Sequence, residues 1–492
     1  MKFHHYLKII FALCLAFFFV KLALYHYHIV VHPYPVGYRE GASMTSTEAL
    51  VHGLNPFDMK MQPQYTNDYG IGYSLVVAPF AKVFGITMLV HRAVSAFFIF
   101  AAGALLFAVM RRVGVPLLLN LGGGLLFYAS LLYPTTTTPS ADPSSLGLFL
   151  FLGTIFIPWL RKYSWGSLLL SIVLGILAYY TKPYFFVGIA LIGSYIFFFV
   201  SKRKGLAYTA TFLALFIASI IIVHRLADCY FANCFFIHDN IRHLYMDHLK
   251  NQVIAYAQLH LGLLATLFTA MFFLISKRLI KPSLPLHLYC GAGTLLLLLI
   301  WLGKHSGAYL WYFFHLLSPF LLIVTLSLAG RLAHWPLWAA WLIVFNLTVI
   351  SANQDYRNIK HHDEQWEIAK RLIASNEHVL TTSLLTPMLI EQGKEFDDSG
   401  LSEYFRMGAY RYNKRTAQFF KENARVILQF YAYNNQLVDR IANKYFNVVL
   451  ITRDYAPMVP SELTQYYQYV GDLKLMVSHG SGNYVITVLK PN

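Results

Sequence analysis

Apolar residues along this chain fall into runs of about 20, long enough to cross a bilayer core of roughly 30 Å. They read as spans at residues 7–27, 86–110, 116–133, 144–160, 165–180, 184–200, 206–226, 253–275, 285–303, 314–330 and 336–352. The runs 144–160 and 165–180 are short and read as tilted or partly re-entrant. The first run follows Lys2 and Lys8, as a signal peptide would. It is long for that purpose, and Tyr25-His-Tyr-His lacks a small-residue cleavage pattern, so it reads as a retained helix. From about Asn353 the pattern changes. Asp363–Ser375 and Tyr433–Tyr445 read as helices and Val379–Ser383 and Val448–Thr452 as strands. Leu473–Ser478 and Tyr484–Leu489 read as a hairpin closed through His-Gly-Ser-Gly-Asn. The predicted fold class is therefore a polytopic α-helical membrane module over residues 1–352, with about eleven transmembrane helices, followed by a small α/β domain over 353–492.

Composition agrees with the pattern. Of 492 residues, 57% are hydrophobic and 13% charged, where a soluble domain carries about a quarter charged. A net charge of +16 would suggest nucleic acid in a soluble protein. Here the basic clusters Lys2–Lys8, Arg111-Arg112, Arg161-Lys162, Lys202–Lys204, Lys277-Arg278 with Lys281, and Arg331 occupy every second gap between apolar runs. That is the positive-inside pattern. It predicts a multi-pass protein of a bacterial inner (plasma) membrane, with a cytoplasmic N-terminus and an extracytoplasmic C-terminal domain, and it argues against nucleic-acid binding.

The acids complete the picture. Before residue 351 they are Glu40, Glu48, Asp58, Asp68, Asp142, Asp228, Asp239 and Asp247, and under this topology all fall in outward loops. Burial in lipid would exclude them from spans, but not from inner loops. The first outer loop, residues 28–85, holds Tyr38-Arg39-Glu40, then Gly53-Leu-Asn-Pro-Phe-Asp58, then Asn67-Asp-Tyr-Gly-Ile-Gly-Tyr73, and ends in an amphipathic stretch at Ser74–Gly85. Asp58 and Asp68 suit turns, and Asp142 followed by Pro143 suits a helix N-cap with proline at the first helical position. Arg92, Arg225 and Arg242 read as snorkelling or structurally paired cations. Cys229 and Cys234 share one outward loop and could pair if that compartment is oxidising. His238, His243 and His248 with Asp239 and Asp247 match no standard zinc spacing, so no metal site is assigned, although a divalent metal remains compatible.

A first span, an acid in a long outer loop and a Gly-x-Asn-Pro-aromatic-Asp turn together resemble the membrane glycosyltransferases of the C-type (GT-C) fold. The relatives concerned are the protein O-mannosyltransferases, aminoarabinose transferases and polyprenol-dependent mannosyltransferases. Thr181-Lys182-Pro183 and Lys304-His-Ser-Gly-Ala-Tyr309 with Tyr312 add to the likeness. The resemblance implies transfer of a sugar from a polyprenyl-phosphate donor to a lipid, glycan or protein acceptor on the outer face, with inversion. It implies Glu40 as general base, since the family places its acid just outside the first span. Asp142, Asp68 and Arg39 would contact substrate or support the base, Lys182, Lys304 and His305 would hold phosphate, and Tyr309 and Tyr312 would line the site. No cofactor is implied. Two other classes share the broad pattern: a transporter or flippase, which would show repeats or mid-membrane charges, and a lipid-linked glycan polymerase or ligase.

Overall fold

The computed structural model describes residues 2–131 (without 38, 63 and 68), 140–234 (without 232), 246–276, 291, 293, 308–329, 336–352, 363–397 (without 383), 432–452 (without 434), 463–476 and 483–492. Helices occupy the predicted apolar runs: α1 (Lys2–Val30), α4 (Met88–Arg112), α5 (Leu117–Leu131), α6 (Ser144–Leu160), α7 (Trp165–Thr181), α8 (Val187–Tyr195, continued by a π-helical stretch Ile196–Val200), α9 (Lys202–Leu226), α12 (Ala308–Ala329) and α13 (Pro336–Ala352). The expected span 253–275 is two helices, α10 (Met246–Leu259) and α11 (Leu261–Ser276), broken at His260. The expected span 285–303 lies outside the described residues. Among the described residues, His5–Val30, Met88–Arg112, Pro183–Val200 and Lys202–Leu226 are long and apolar enough to cross a bilayer, and α6 and α7 are shorter apolar helices of 17 residues each. The protein is an integral membrane protein built on a helical bundle.

Two helices lie in the first outer loop. α3 (Gly72–Phe84) matches the predicted amphipathic stretch, burying Tyr73, Ser74, Val77 and Ala81 while Leu75, Phe80, Val83 and Phe84 face outward. α2 (Glu40–Val51) falls within the stretch that the sequence predicts as loop. Its Gly-Ala-Ser-Met-Thr-Ser-Thr run has poor helix propensity and no amphipathic stripe. The helix is instead buried on almost every side, from Glu40 through Thr47 and at Ala49. Small side chains make that burial possible, and the Thr45 and Thr47 hydroxyls bond back to the helix's own carbonyls at Ala42 and Ser43.

The bundle has two chemically distinct ends. α6 and α7 are antiparallel neighbours, so the start of α6, near Asp142, meets the end of α7, at Lys182. At the other end Lys204 donates to the Tyr163 carbonyl at 3.1 Å, which brings the loop after α6 to the start of α9. Arg161, Lys162, Lys202 and Arg203 are exposed at that end. Cys229 and Cys234 are both buried and unbonded to one another. Cys229 Sγ meets Met59 Sδ at 3.6 Å and Cys234 Sγ donates to the Tyr69 carbonyl at 3.6 Å, so the disulfide left open by the sequence does not form.

The C-terminal region has the predicted α/β character. α14 (Asp363–Ser375) and α15 (Thr386–Glu391) pack with a four-stranded sheet of β1 (Val379–Thr381), β2 (Val448–Thr452), β3 (Tyr467–Met476) and β4 (Asn483–Pro491). Strand order is β1-β2-β4-β3, with β1 parallel to β2 and the other pairs antiparallel. The hairpin prediction is met by β3 and β4, with a bulge between Tyr469 and Gly471; the Gly480-Ser-Gly482 turn lies outside the described residues. The core of this region does not stop at residue 363. Trp366, Met388, Leu389 and Phe396 share one apolar cluster with Tyr34, Met44, Tyr65, Met88 and Ala141 of the membrane module.

Candidate active site at the acid-bearing end

The site is built from two buried ion pairs joined through adjacent residues. In the first, Glu40 opens α2, where a carboxylate suits the positive end of the helix dipole. Its Oε1 accepts from Arg92 Nε and from the Ala141 amide, both at 2.9 Å. Its Oε2 accepts from an Arg92 terminal nitrogen at 2.7 Å and from the Val36 amide at 2.9 Å. A carboxylate offers about four lone-pair positions, and rigid donors occupy all of them. Arg92 is equally committed. Its other donors go to the carbonyls of Ile29 (3.2 Å), His32 (2.5 Å) and Tyr34 (2.7 Å), so all five N–H groups are used. Arg92 is 0% exposed and Glu40 1%. Burial alone would push the Glu40 carboxyl up, but the Arg92 guanidinium and the amides of Ala141 and Val36 hold it below the ordinary glutamate value.

Arg92 owes its place to the start of α4. Thr87 caps that helix by accepting from the Val90 amide at 3.2 Å, and the His91 ring nitrogens lie 2.8 Å from the Thr87 carbonyl and 3.0 Å from Thr47 Oγ. The sequence points to Asp142, Asp68 and Arg39 as the groups that support Glu40. The partner is Arg92, 52 residues away, and structural pairing is its role here.

The second pair is Asp142 with Lys182. Lys182 Nζ lies 3.0 Å from Asp142 Oδ1, 3.3 Å from Oδ2 and 2.6 Å from Ser144 Oγ. It also sits 4.6 Å from the centroid of the Tyr69 ring, a cation–π contact. Pro183 cannot continue α7, and Lys182 accordingly takes an extended conformation at the helix end (φ −148°, ψ 123°). The cap position of α6 is Pro143, one residue later than the sequence predicts, but Asp142 Oδ1 still accepts from the Ser144 amide at 2.7 Å, so this bond at the helix start and the ion pair coexist. Burial would raise the Asp142 carboxyl; Lys182 foremost, then Arg39 and the amide and hydroxyl of Ser144, bring it below the ordinary aspartate value.

Tyr69 is held under Lys182 by its own segment. Its amide donates to Asn67 Oδ1 at 2.9 Å, and Asn67 Nδ2 donates to Ser46 Oγ at 2.7 Å on α2. The glycines on either side of Ile71 let this segment lie on the end of α7: a Cβ at Gly70 would fall 1.9 Å from the Tyr180 carbonyl oxygen, and one at Gly72 2.6 Å from Thr181 Oγ. The Asn-Pro-Phe-Asp turn is scaffold, as expected. Asp58 caps a short 3-10 turn by accepting from the Lys60 amide, and Asn55 Nδ2 donates to the Leu226 carbonyl at 2.7 Å.

The two pairs share a backbone. Arg39 precedes Glu40, and Ala141, which donates to Glu40, precedes Asp142. Of the residues named from the sequence, Glu40, Arg39, Asp142 and Lys182 thus meet in one place. Asp68, Lys304 and His305 lie outside the described residues, as do the side chains of Tyr309 and Tyr312 at the start of α12. Sequence reasoning missed Ser144, Tyr69 and the central place of Arg92, although His91-Arg92 at the start of the second span was a visible signal.

The C-terminal region closes over this layer. Tyr34, whose carbonyl takes Arg92, stacks on Trp366 with centroids 5.6 Å apart and planes 12° apart, and its hydroxyl donates to Glu367. Glu391 Oε1 accepts from the Met88 amide at 2.6 Å, at the first turn of α4. Burial raises the Glu391 carboxyl above the ordinary glutamate value against the opposing pull of the Met88 amide and Arg92.

No protein-family model matches the sequence, and no curated protein matches it by sequence. Solved structures do match. ArnT from Cupriavidus metallidurans in the apo state aligns with a TM-score of 0.57, covering 96% of this chain and 96% of that one. The same protein bound to undecaprenyl phosphate aligns with a TM-score of 0.54, covering 98% and 97%. Identity is 14% in both, so the likeness is one of fold, and it spans nearly the whole chain: this protein has the C-type glycosyltransferase fold that the sequence resemblance implied.

Proposed function

We propose that this protein is a membrane glycosyltransferase that moves a sugar from a polyprenyl-phosphate donor to an acceptor hydroxyl on the extracytoplasmic face. The observation that carries the reading is the buried Asp142–Lys182 pair, with Arg39 and Tyr69, at the acid-bearing end of an ArnT-type fold, one of whose known structures holds undecaprenyl phosphate. The basic loops at the other end of the bundle support a cytoplasmic N-terminus and an extracytoplasmic C-terminal domain.

In the proposed reaction an acceptor oxygen attacks the anomeric carbon from the face opposite the phosphate. The acceptor's proton passes to a carboxylate, the C1–O bond to phosphate breaks, and polyprenyl phosphate leaves with one more negative charge. The configuration inverts. Lys182 and Arg39 supply positive charge beside that leaving group, with Lys304 and His305 as further cations from the later loop. The displacement invokes no cofactor.

Glu40 fits the base role poorly, because two backbone amides and a fully committed guanidinium fill its acceptor positions. Asp142 fits better: its main cationic partner is a lysine, and its Oδ2 contact with that lysine is the longer one, at 3.3 Å. Asp142 therefore takes the proton, and Glu40 positions Arg39 and the Ala141–Asp142 peptide around it. Acceptor class and sugar are read from products: purified protein is incubated with a panel of polyprenyl-phosphate sugars and lipid, glycan and peptide acceptors, and products are identified by mass spectrometry. Asp142→Asn is expected to lower turnover by about 10²–10⁴-fold. Turnover close to wild type would refute Asp142 as the base, and no product from any donor would refute the reading.

A further inference from the structure

We infer that Asp142 is masked by Lys182 when no donor is bound, and that the lipid phosphate unmasks it by taking Lys182 over. The inference rests on the glycosyltransferase reading above and adds an order of events to it. Lys182 Nζ lies within hydrogen-bond distance of Asp142 Oδ1, Asp142 Oδ2 and Ser144 Oγ, with the Tyr69 ring on one side. Lys182 is 2% exposed. A phosphate that uses this cation must draw it from Asp142.

Arg92 cannot be drawn away in the same manner. Its five donors hold Glu40 and three carbonyls, and losing them would undo the fold of the first loop. Lys182 reaches the Asp142 carboxylate and the Ser144 hydroxyl on a flexible four-carbon stem. The exchange is also favoured by the course of the reaction. A polyprenyl-phosphate sugar is a phosphodiester with one negative charge, and the phosphate gains a second as the C1–O bond breaks. Its pull on Lys182 is strongest when Asp142 must accept a proton.

The charged and titratable groups around Asp142 come from several elements: Lys182 at the end of α7, Arg39 ahead of α2, Tyr73 on α3, and Glu40, through the Ala141 amide, on α2. Among these, Lys182 is the one in direct contact with both Asp142 oxygens. With Lys182 withdrawn, Asp142 retains the Ser144 amide and gains proton affinity. The protein thus withholds a competent base until the donor phosphate is seated, which guards the donor against attack by water.

The test measures binding of undecaprenyl phosphate to purified protein in detergent, alongside transfer. Asp142→Asn releases Lys182 from a charged partner, and undecaprenyl phosphate should then bind about tenfold tighter than to wild type, while transfer is lost. Asp142→Ser keeps an oxygen for the Ser144 amide, should tighten binding likewise, and serves if the asparagine variant does not fold. In the wild type, the acid limb of kcat/KM for donor reports the free protein and that of kcat the donor complex, so the kcat limb should lie at higher pH. Binding that is unchanged or weaker in the folded variant, or acid limbs that coincide, would overturn masking and leave the base assignment standing. Wild-type turnover in either variant would instead overturn the reading on which the inference rests.

Discussion

Replacing Glu40 with Gln separates a positioning acid from a reacting one. The carboxylate takes four hydrogen bonds of 2.7–2.9 Å, two of them from Arg92. A glutamine keeps one oxygen. Its amide nitrogen must face either Val36 N–H or Ala141 N–H together with an arginine N–H, donor against donor, and Arg92 is left buried and uncompensated. Removing one partner of a buried ion pair costs about 3–5 kcal/mol. One kcal/mol moves Tm by roughly 2–4 °C in a chain of 150–250 residues and by less in a longer one, so a fall of about 5 °C is expected. The assay is thermal unfolding of detergent-solubilised protein, followed as loss of the monodisperse peak. A companion variant, Arg92→Gln, and the double variant complete a cycle, and the two losses should fall well short of additive because the second removes a charge already unpaired. The pH dependence has a definite sign. Glu40 is held below its ordinary value, so its contribution is present above the ordinary glutamate range and lost as pH falls through the lowered one; the deficit of Glu40→Gln should shrink with acidification. The reasoning fails if Glu40→Gln melts within about 1 °C of wild type while transfer is abolished. That result would mean that Glu40 has an acceptor to spare and is the base.

Three other perturbations follow from the same geometry. Trp366→Ala removes the ring on which Tyr34 stacks, and as a buried large-to-small change it should cost about 3–5 kcal/mol in thermal or denaturant unfolding and lower transfer, although residue 366 belongs to the C-terminal region. Glu391→Gln keeps an oxygen for the Met88 amide; because the Glu391 carboxyl is raised, its stabilising contribution is present at low pH and lost as pH rises through the raised value, so the variant should flatten that part of a Tm-versus-pH curve, and an unchanged curve would contradict the assignment. Gly70→Ala places a methyl 1.9 Å from the Tyr180 carbonyl oxygen, and should cost about 3 kcal/mol or more through overpacking, seen as a lower Tm or lost folded yield; Gly53→Ala, with open space but φ of +73°, should cost less.

What the sequence discloses, and what it hides, divides along the range of the interactions. Apolar runs of span length, and the two short apolar stretches on either side of a Gly-Ser-Gly turn, are local signals, and both lead to elements found in the fold. α2 carries no local signal, since Ser43, Thr45, Ser46 and Thr47 are poor helix formers and the helix exists because it is enclosed by its neighbours. Glu40, Arg39, Asp142 and Lys182 could each be picked out as polar residues at span ends, and they do converge. Which cation meets which acid could not. Arg39 is adjacent to Glu40 in the chain, yet the carboxylate turns to Arg92, because only an arginine at the start of α4 reaches it with its full fork. The apolar cluster from Trp366 to Tyr34 is equally hidden, since neither residue shows by itself that its partner lies more than 300 positions away.

The two ion pairs are alike in burial and opposite in what surrounds them, and that contrast sorts their roles. Glu40 and Arg92 satisfy one another and five backbone groups: the amides of Val36 and Ala141 and the carbonyls of Ile29, His32 and Tyr34. A pair so enclosed gains little from further ligands and is costly to break, which suits a fixed reference point. Asp142 and Lys182 face one another through flexible donors, with one backbone amide between them and a second cation, Arg39, close enough to act on Asp142. Under the proposed function, the donor phosphate entering there recruits that positive charge without dismantling the backbone. Because Arg39 and Glu40 are neighbours in the chain, as are Ala141 and Asp142, the fixed pair sets the position of the exchangeable one on two sides. Under the proposed function, the acid nearest the first span holds the site together, and the acid 102 residues later is the one placed to react.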